Sequence, residues 1–395
     1  MEEKFLKFPE GFLWGVATSS YQIEGNNKNS DWWEWEEKGK TKDKSEITCD
    51  YWNRWKEDHE LLSQMGVSSF RLSLEWSRIE PEEGKFSEVA IQHYREILED
   101  LKSRNIKTQV TFWHWTSPIW FQKKYGFHKK ESVEIFSRYG KKVFDELGNL
   151  IDIVIIINEP MMPLVFGFLS GKYPPGRMNP FSYCRAFHNL VKAYKNIYAY
   201  IKEKNNGIPV GITTLYNFFE PKNKWNPIDR FISWCGNKSW NESFFNKIKD
   251  SADYFGLDYY FHNRISILGI KNENKKVTDT GWEIYPPGIY EVLKKIKNKY
   301  NLPVYIMENG LADAKDKYRV EFIKDHLVCV KKAMNEGVDV KGYNHWSLVD
   351  NFEWLYGFEP RFGLVEIDYK TLERKPRKSF YVYRDIIKNN GIAKN

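Results

Sequence analysis

Eight short apolar segments recur along the 395-residue chain, separated by longer stretches whose apolar residues fall at helical spacing. Strands that alternate with helices pair in parallel through helical crossovers. Eight such units is the number that closes a (β/α)8 TIM barrel, and continuous apolar runs suit strands buried on both faces. We therefore predict this α/β fold. The predicted strands are Phe12–Ala17, Ser68–Leu74, Lys107–Trp113, Asp152–Ile157, Pro209–Leu215, Tyr254–Tyr260, Pro303–Met307 and Val340–Trp346.

The intervening segments carry helix signals. Ser87 is placed to cap a helix whose apolar stripe includes Ile91 and Leu98, and Gly337 is placed to end a later one. His59 and His93 fall in helical patterns and are expected to face solvent. No Pro/Gly/Ser-rich linker divides the chain, so we expect one domain over residues 1–395. An open doubly wound sheet is the rival fold, but it would want a glycine-rich phosphate turn, which the sequence lacks.

Composition argues against several classes of function. The 60 Lys and Arg residues against 53 Asp and Glu give a net charge of +7, but the basic residues are scattered. Nucleic-acid binding would want a concentrated basic stripe. The four cysteines form no CxxC pair, residues 1–10 contain no apolar leader, and Ile151–Ile157 is too short to span a bilayer. We expect a cytoplasmic protein with no nucleic-acid or membrane partner, and the oligomeric state stays open.

Two carboxylates follow apolar strands, at Asn158-Glu159-Pro160 and at Met307-Glu308-Asn309. In a barrel, the C-terminal ends of the strands form the active site. Strands four and seven face each other across such a ring, so Glu159 and Glu308 can share one pocket. Facing carboxyl groups in unlike environments suit glycoside hydrolysis, with retention if about 5–5.5 Å apart and inversion if about 6.5–9.5 Å apart. Either glutamate alone could equally be a loop residue.

Other strand ends contribute polar and aromatic side chains that suit a neutral sugar. Arg71 lies within an apolar strand and needs an anionic partner, for which Glu308 is the natural candidate. A structural ion pair for Arg71, and core packing for His114 and Trp346, are the alternatives. The eight His residues are dispersed, so we expect no metal site. The remaining candidates at strand ends are Gln22, Tyr260, Glu353 and Trp354.

Taken together, these segments resemble glycoside hydrolase family 1, the retaining β-glucosidases and β-galactosidases. The resemblance runs nearly from end to end. It rests on Phe8–Gly25, Phe70–Pro81, Asn158–Pro160, Gly281–Pro286, Ile306–Gly310, Trp346–Trp354 and Arg361–Leu364.

The resemblance implies a (β/α)8 barrel and a two-step retaining mechanism without a cofactor. Glu308 would be the nucleophile and Glu159 the acid/base. Arg71 and Tyr260 would support Glu308, and Trp282 would face the aglycone. The residues implied to hold the glycone are Gln22, His114, Asn158, Trp346, Glu353 and Trp354.

The chain also departs from the family pattern. The region between Leu215 and Tyr254, around the fifth helix, is shorter than usual, and Asp258 stands where the family usually has Asn. Thr116-Ser117-Pro118 is a variant loop. Glu353 would repel the phosphate of a phosphorylated sugar, so Glu353-Trp354 indicates a sugar without phosphate. The expected substrates are therefore β-glucosides, β-galactosides or β-fucosides. A catalytically weak sugar-binding protein and a transglycosylase are the alternative functions.

Overall fold

The computed structural model describes residues 5–393. Its strands are β1 (Phe5–Lys7), β2 (Leu13–Ala17), β3 (Ser69–Ser73), β4 (Lys107–Trp113), β5 (Ile153–Ile157), β6 (Val210–Gly211), β7 (Thr213–Leu215), β8 (Phe218–Pro221), β9 (Phe255–Asp258), β10 (His262–Ser266), β11 (Gly269–Ile270), β12 (Val304–Asn309), β13 (Val340–Trp346), β14 (Val365–Ile367), β15 (Arg374–Pro376) and β16 (Gly391–Ala393).

Nine of these strands form one parallel sheet in the order β6-β5-β4-β3-β2-β13-β12-β9-β7. β6 and β7 stand at the two ends of this order. They are two parts of one barrel strand, because only Ile212 separates them. β6 pairs with β5 and β7 pairs with β9, so the broken fifth strand closes the ring. The molecule is therefore a (β/α)8 barrel, and all eight predicted strands are confirmed.

Helices surround the ring. They are α1 (Ser20–Glu24), α2 (Asp31–Glu37), α3 (Tyr51–Met65), α4 (Trp76–Ile79), α5 (Glu88–Ser103), α6 (Ile119–Lys124), α7 (Ser132–Leu147), α8 (Met161–Phe168), α9 (Pro180–Lys204), α10 (Pro227–Gly236), α11 (Phe245–Ile248), α12 (Pro286–Tyr300), α13 (Arg319–Asn335) and α14 (Lys378–Lys388). Short 3₁₀ segments cover Gly148–Leu150, Lys249–Ser251 and Trp354–Tyr356, and Asn237–Glu242 forms a π-helical turn. Among residues 5–393, no helix has both the length and the apolar content needed to cross a membrane.

The sequence signals for helix ends are confirmed, but the exposure of one histidine is not. The Ser87 side chain accepts a hydrogen bond from the backbone N–H of Ala90 and so caps α5. His59 was expected to face solvent, and this is wrong. Its ring is fully buried, with Nδ1 2.7 Å from Asp100 and Nε2 3.0 Å from the Tyr51 hydroxyl. These two polar partners make burial of the imidazole tolerable.

Apolar side chains fill the inside of the ring below the carboxyl ends of the strands. Ile153 and Ile155 of β5 pack with Tyr254 and with Met307 of β12, which lies across the ring. The Tyr254 hydroxyl donates to the backbone carbonyl of Val154 at 2.8 Å, so this buried polar atom is satisfied. Met307 directly precedes Glu308, and this packing therefore fixes the level from which Glu308 projects.

The fifth unit, between Leu215 and Tyr254, which the sequence analysis expects to be shortened, contains secondary structure of its own. β8 leaves the barrel and pairs with β10, which also pairs with β11. The resulting three-stranded sheet lies beside the mouth of the barrel, and α10 packs against it. Elsewhere, β1 and β16 pair the two chain ends, and β14 pairs with β15.

Candidate active site

A cavity of about 430 Å³ opens at the C-terminal ends of the barrel strands. Its walls include every side chain that the sequence analysis proposed for the site except Arg71, which lies behind Glu308. Aromatic and polar groups from most of the ring therefore converge on one space, as ligand sites usually require. The predicted residues that line the cavity are Gln22, His114, Asn158, Glu159, Tyr260, Trp282, Glu308, Trp346, Glu353 and Trp354.

Glu308 lies near the end of β12 and is held by two donors. Arg71 Nη1 on β3 is 2.5 Å from Glu308 Oε1, and the Tyr260 hydroxyl donates to Oε2 at 2.8 Å. Burial raises the pKa of Glu308, while the positive charge of Arg71 and the hydrogen bond from Tyr260 oppose that shift. Both carboxylate oxygens are thus oriented, and the ionised form is favoured over what burial alone would allow.

Glu159 lies two residues after the end of β5, in a left-handed backbone conformation with φ of +39°. Its backbone N–H donates to Thr213 Oγ1 at 3.1 Å, and this bond ties it to the broken fifth strand. Burial raises the pKa of the Glu159 carboxyl, and the nearby charges of Asp258 and Glu308 raise it further. Of the two glutamates, Glu159 is therefore the one whose carboxyl group favours the protonated form.

The carboxyl groups of Glu159, Asp258 and Glu308 meet at one point. One oxygen from each of the three lies within 4.8 Å of the other two. Three such oxygens are close enough to hold a cation, but the buried guanidinium of Arg71 already supplies positive charge 2.5 Å from Glu308 and 4.0 Å from Asp258. We therefore do not assign a metal here.

Polar side chains surround the space next to the two glutamates. Asn158 Oδ1 accepts from Thr213 Oγ1 at 2.7 Å and from Arg71, and Asn158 Nδ2 donates to His114 Nε2 at 3.1 Å. Burial, with the Arg71 charge nearby, lowers the pKa of His114 well below its usual range, so the ring is neutral. The amide, hydroxyl and imidazole groups thus form one connected network.

Glu353 lies in the segment that follows β13, the last barrel strand. Gln22 Nε2 and Trp346 Nε1 each approach Glu353 Oε1 at 3.3 Å. Burial raises the pKa of Glu353 to about 8, against these two hydrogen bonds. Its carboxyl group can therefore donate as well as accept a hydrogen bond near neutral pH.

Aromatic rings form the walls. Trp354 packs against Tyr21, Trp32 and Trp115, with ring centroids 4.6–5.8 Å apart, which fixes its orientation. Trp282 also lines the cavity and contacts Phe261, with ring centroids 4.5 Å apart. Flat apolar faces beside hydrogen-bonding groups match the two kinds of surface that a sugar ring presents.

Sequence reasoning missed some residues of this site. Thr213 bonds both Asn158 and the Glu159 backbone, and its place as a polar residue near the end of the fifth predicted strand is the signal that could have indicated it. Tyr173 also lines the cavity. It lies outside the strands, so neither periodicity nor strand position could have indicated it. Trp115 also borders the cavity, where it contacts Trp354.

The chain also matches a model of a known protein family. The model of Glycosyl hydrolase family 1 matches residues 5–254 and 235–392. The two matched segments overlap at residues 235–254, inside the region that the sequence analysis expects to be shortened.

Individual proteins give the same result. Beta-glucosidase A of Thermotoga maritima is 34% identical, with 98% of this chain and 99% of the relative covered, in an alignment of 440 positions. A solved beta-glycosidase from Pyrococcus horikoshii is 39% identical with a TM-score of 0.93, covering 99% of this chain and 97% of that one. A T. maritima beta-glucosidase solved with glucoimidazole is 34% identical with a TM-score of 0.93, covering 98% and 100%.

Proposed function

The chain belongs to glycosyl hydrolase family 1 and is a glycosidase, and from this premise we propose a specific reaction. The protein is a retaining exo-β-glycosidase. It hydrolyses the non-reducing terminal β-D-glucosyl residue, or the galactosyl or fucosyl equivalent, of small glycosides and oligosaccharides. Glu308 is the nucleophile and Glu159 the acid/base of a double displacement.

One observation carries this proposal, namely that two carboxyl groups of unlike environment share the cavity at close range. Their nearest oxygens lie within 4.8 Å of each other, which favours the ~5–5.5 Å carboxyl separation of retaining enzymes over the wider ~6.5–9.5 Å of inverting ones. Arg71 and Tyr260 favour ionised Glu308, and burial among like charges favours protonated Glu159. Those are the starting states of nucleophile and acid.

The steps follow from these states. Ionised Glu308 attacks the anomeric carbon while Glu159 transfers its proton to the departing glycosidic oxygen. The glycosyl-enzyme ester removes the negative charge of Glu308. Since that charge helps to raise the pKa of Glu159, the pKa falls in the intermediate, and Glu159 can then take a proton from the attacking water.

The cavity also supports a neutral sugar as substrate. Gln22, His114, Asn158 and Glu353 offer hydrogen bonds to hydroxyl groups beside the indole faces of Trp346 and Trp354. Among the described residues that line the cavity, Lys172 is the single cation, and it is an exposed rim residue. A sugar phosphate would therefore meet Glu353 without a buried positive charge. The name of the T. maritima relative favours β-glucosides as the first substrates to test.

The deciding experiment combines stereochemistry with two variants. NMR of the first-formed sugar from an aryl β-glucoside should show the β-anomer. Glu308→Gln should abolish turnover of every substrate. Glu159→Gln should lose activity on phenyl glucosides but still release an activated leaving group such as 2,4-dinitrophenol in the first step. A first-formed α-anomer, or equal collapse of Glu159→Gln on all leaving groups, would contradict the roles assigned.

Two further outcomes address the alternative functions. Sugar binding without any hydrolysis by the unmodified protein would favour a sugar-binding protein on this barrel. A predominance of longer oligosaccharides over free sugar at high substrate concentration would favour a transglycosylase.

A further inference from the structure

A third buried carboxyl group, Asp258, lies beside the two glutamates but does not line the cavity. In the pairing of β9 with β12, Asp258 stands directly opposite Glu308. On its other side, β9 pairs with β7, and Asp258 stands opposite Leu215. Asp258 thus reaches the carboxylate cluster from behind, where it cannot contact a bound sugar.

Neither carboxylate oxygen of Asp258 has a hydrogen-bond donor among residues 5–393, although the side chain is fully buried. An unpaired buried carboxylate is costly, so a proton or a cation must offset it. Two carboxyl groups bond to each other only when one carries a proton, and Asp258 and Glu159 are neighbours of this kind, with an oxygen of each within 4.8 Å of the other. A proton on one of them supplies the missing bond.

The surrounding charges limit how many protons the cluster holds. β3 contributes Arg71, 4.0 Å from Asp258, β12 contributes Glu308, and the segment after β5 contributes Glu159. β9 and its extension contribute the neutral phenols of Tyr254 and Tyr260, and β7 contributes no charged group at this level. Arg71 balances ionised Glu308. The remaining pair, Glu159 and Asp258, would carry two uncompensated charges unless it binds one proton.

We propose that Asp258 is a positioning residue that shares one proton with Glu159, so that the proton delivered to the leaving group is held between two carboxyl groups. This inference rests on the proposed role of Glu159 as acid/base. The charge of Asp258 raises the pKa of Glu159, second only to burial. Asparagine at this position, which the family resemblance gives as usual, would lack that charge.

The test is the pH profile of kcat/KM for Asp258→Asn, measured with two substrates. Phenyl β-glucoside needs its leaving group protonated, whereas 2,4-dinitrophenyl β-glucoside does not. Removing the negative charge of Asp258 from beside Glu159 should lower the pKa of Glu159. The alkaline limb of kcat/KM for the phenyl glucoside should therefore move to lower pH by roughly one unit or more. The alkaline limb for the dinitrophenyl glucoside should stay where it is.

Asp253→Asn is the matched control, because it makes the same chemical change far from the carboxylate cluster. Asp253 lies just before the start of β9, whereas Asp258 ends this strand. There Asp253 accepts hydrogen bonds from the Val210 N–H and from Lys202. It should leave both alkaline limbs in place. A purely structural role for Asp258 would instead lower kcat/KM equally at every pH, and an unmoved phenyl-glucoside limb in Asp258→Asn would overturn the inference.

A second measurement decides the matter if Asp258→Asn does not fold. Infrared difference spectra between the unmodified protein and Glu159→Gln should show two carboxyl groups changing, Glu159 and Asp258, if they share a proton. A change in one carboxyl alone would refute sharing. Failure of the proposed function is a separate result, because the unmodified protein would then not hydrolyse aryl β-glucosides at all.

Discussion

Replacing Glu353 by glutamine separates binding from stability. Glu353 is buried, its carboxyl group receives two hydrogen bonds of 3.3 Å from residues that the structure describes, and burial raises its pKa to about 8. A glutamic acid in the unfolded chain has a pKa of about 4.3. The folded pKa is therefore raised, so the associated stability is complete below about pH 4 and is lost as pH rises towards 8.

The size of the effect follows from that difference. A rise of nearly four pKa units corresponds to about 5 kcal/mol of stability lost by pH 8. Glutamine never ionises, but its unpaired amide N–H groups cost about 1–3 kcal/mol at any pH. Glu353→Gln should thus be more stable than the unmodified protein at pH 8, by about 3 kcal/mol, and less stable at pH 4, by about 1–3 kcal/mol.

Thermal unfolding at the two pH values checks this, with exposed Glu99→Gln on α5 as the control that should show no pH-dependent difference. The same Glu353 variant should lose roughly five- to a hundredfold in kcat/KM, because a sugar hydroxyl left without its hydrogen-bond partner costs about 1–3 kcal/mol. A variant that is destabilised as strongly at pH 8 as at pH 4 would refute the reasoning and make Glu353 a structural residue.

Three further changes test the supporting groups. Tyr260→Phe removes the 2.8 Å bond to Glu308, so the pKa of Glu308 should rise and the acid limb of kcat/KM should move to higher pH; an unmoved limb would contradict this role. Thr213→Val should cost about 1–3 kcal/mol in urea unfolding, whereas Thr214→Val should not, since Thr214 Oγ1 has no partner among the described residues. Trp282→Ala should raise KM for a β-linked disaccharide about tenfold without changing inhibition by a monosaccharide mimic, and equal losses on both would place Trp282 at the glycone.

The ring could be predicted from the sequence because its determinants are local. Each barrel strand is a short apolar run, and β4 and β13 have the bounds that the sequence predicts. The break at Ile212 could not be foreseen, because it depends on β6 and β7 pairing with different neighbours. The prediction that His59 faces solvent was wrong for a similar reason, because its partner Asp100 belongs to another helix.

For the site, strand ends indicated which side chains converge, but not how they pair. The sequence predicts the Arg71–Glu308 contact, because a guanidinium within an apolar strand needs an anionic partner and Glu308 is the natural candidate. The contacts of Thr213 and the reach of Asp258 towards Glu159 depend on strand register, which the sequence does not specify. The roles of the individual side chains stay predictions until variants are measured.

The most direct test of the account is to trap the glycosyl-enzyme. Incubation with a 2-deoxy-2-fluoro-β-glucosyl fluoride, followed by proteolysis and mass spectrometry, should place one sugar on the peptide that contains Glu308 and none on the peptide that contains Glu159. An adduct on any other residue, or steady hydrolysis with no adduct and an inverted product, would contradict it.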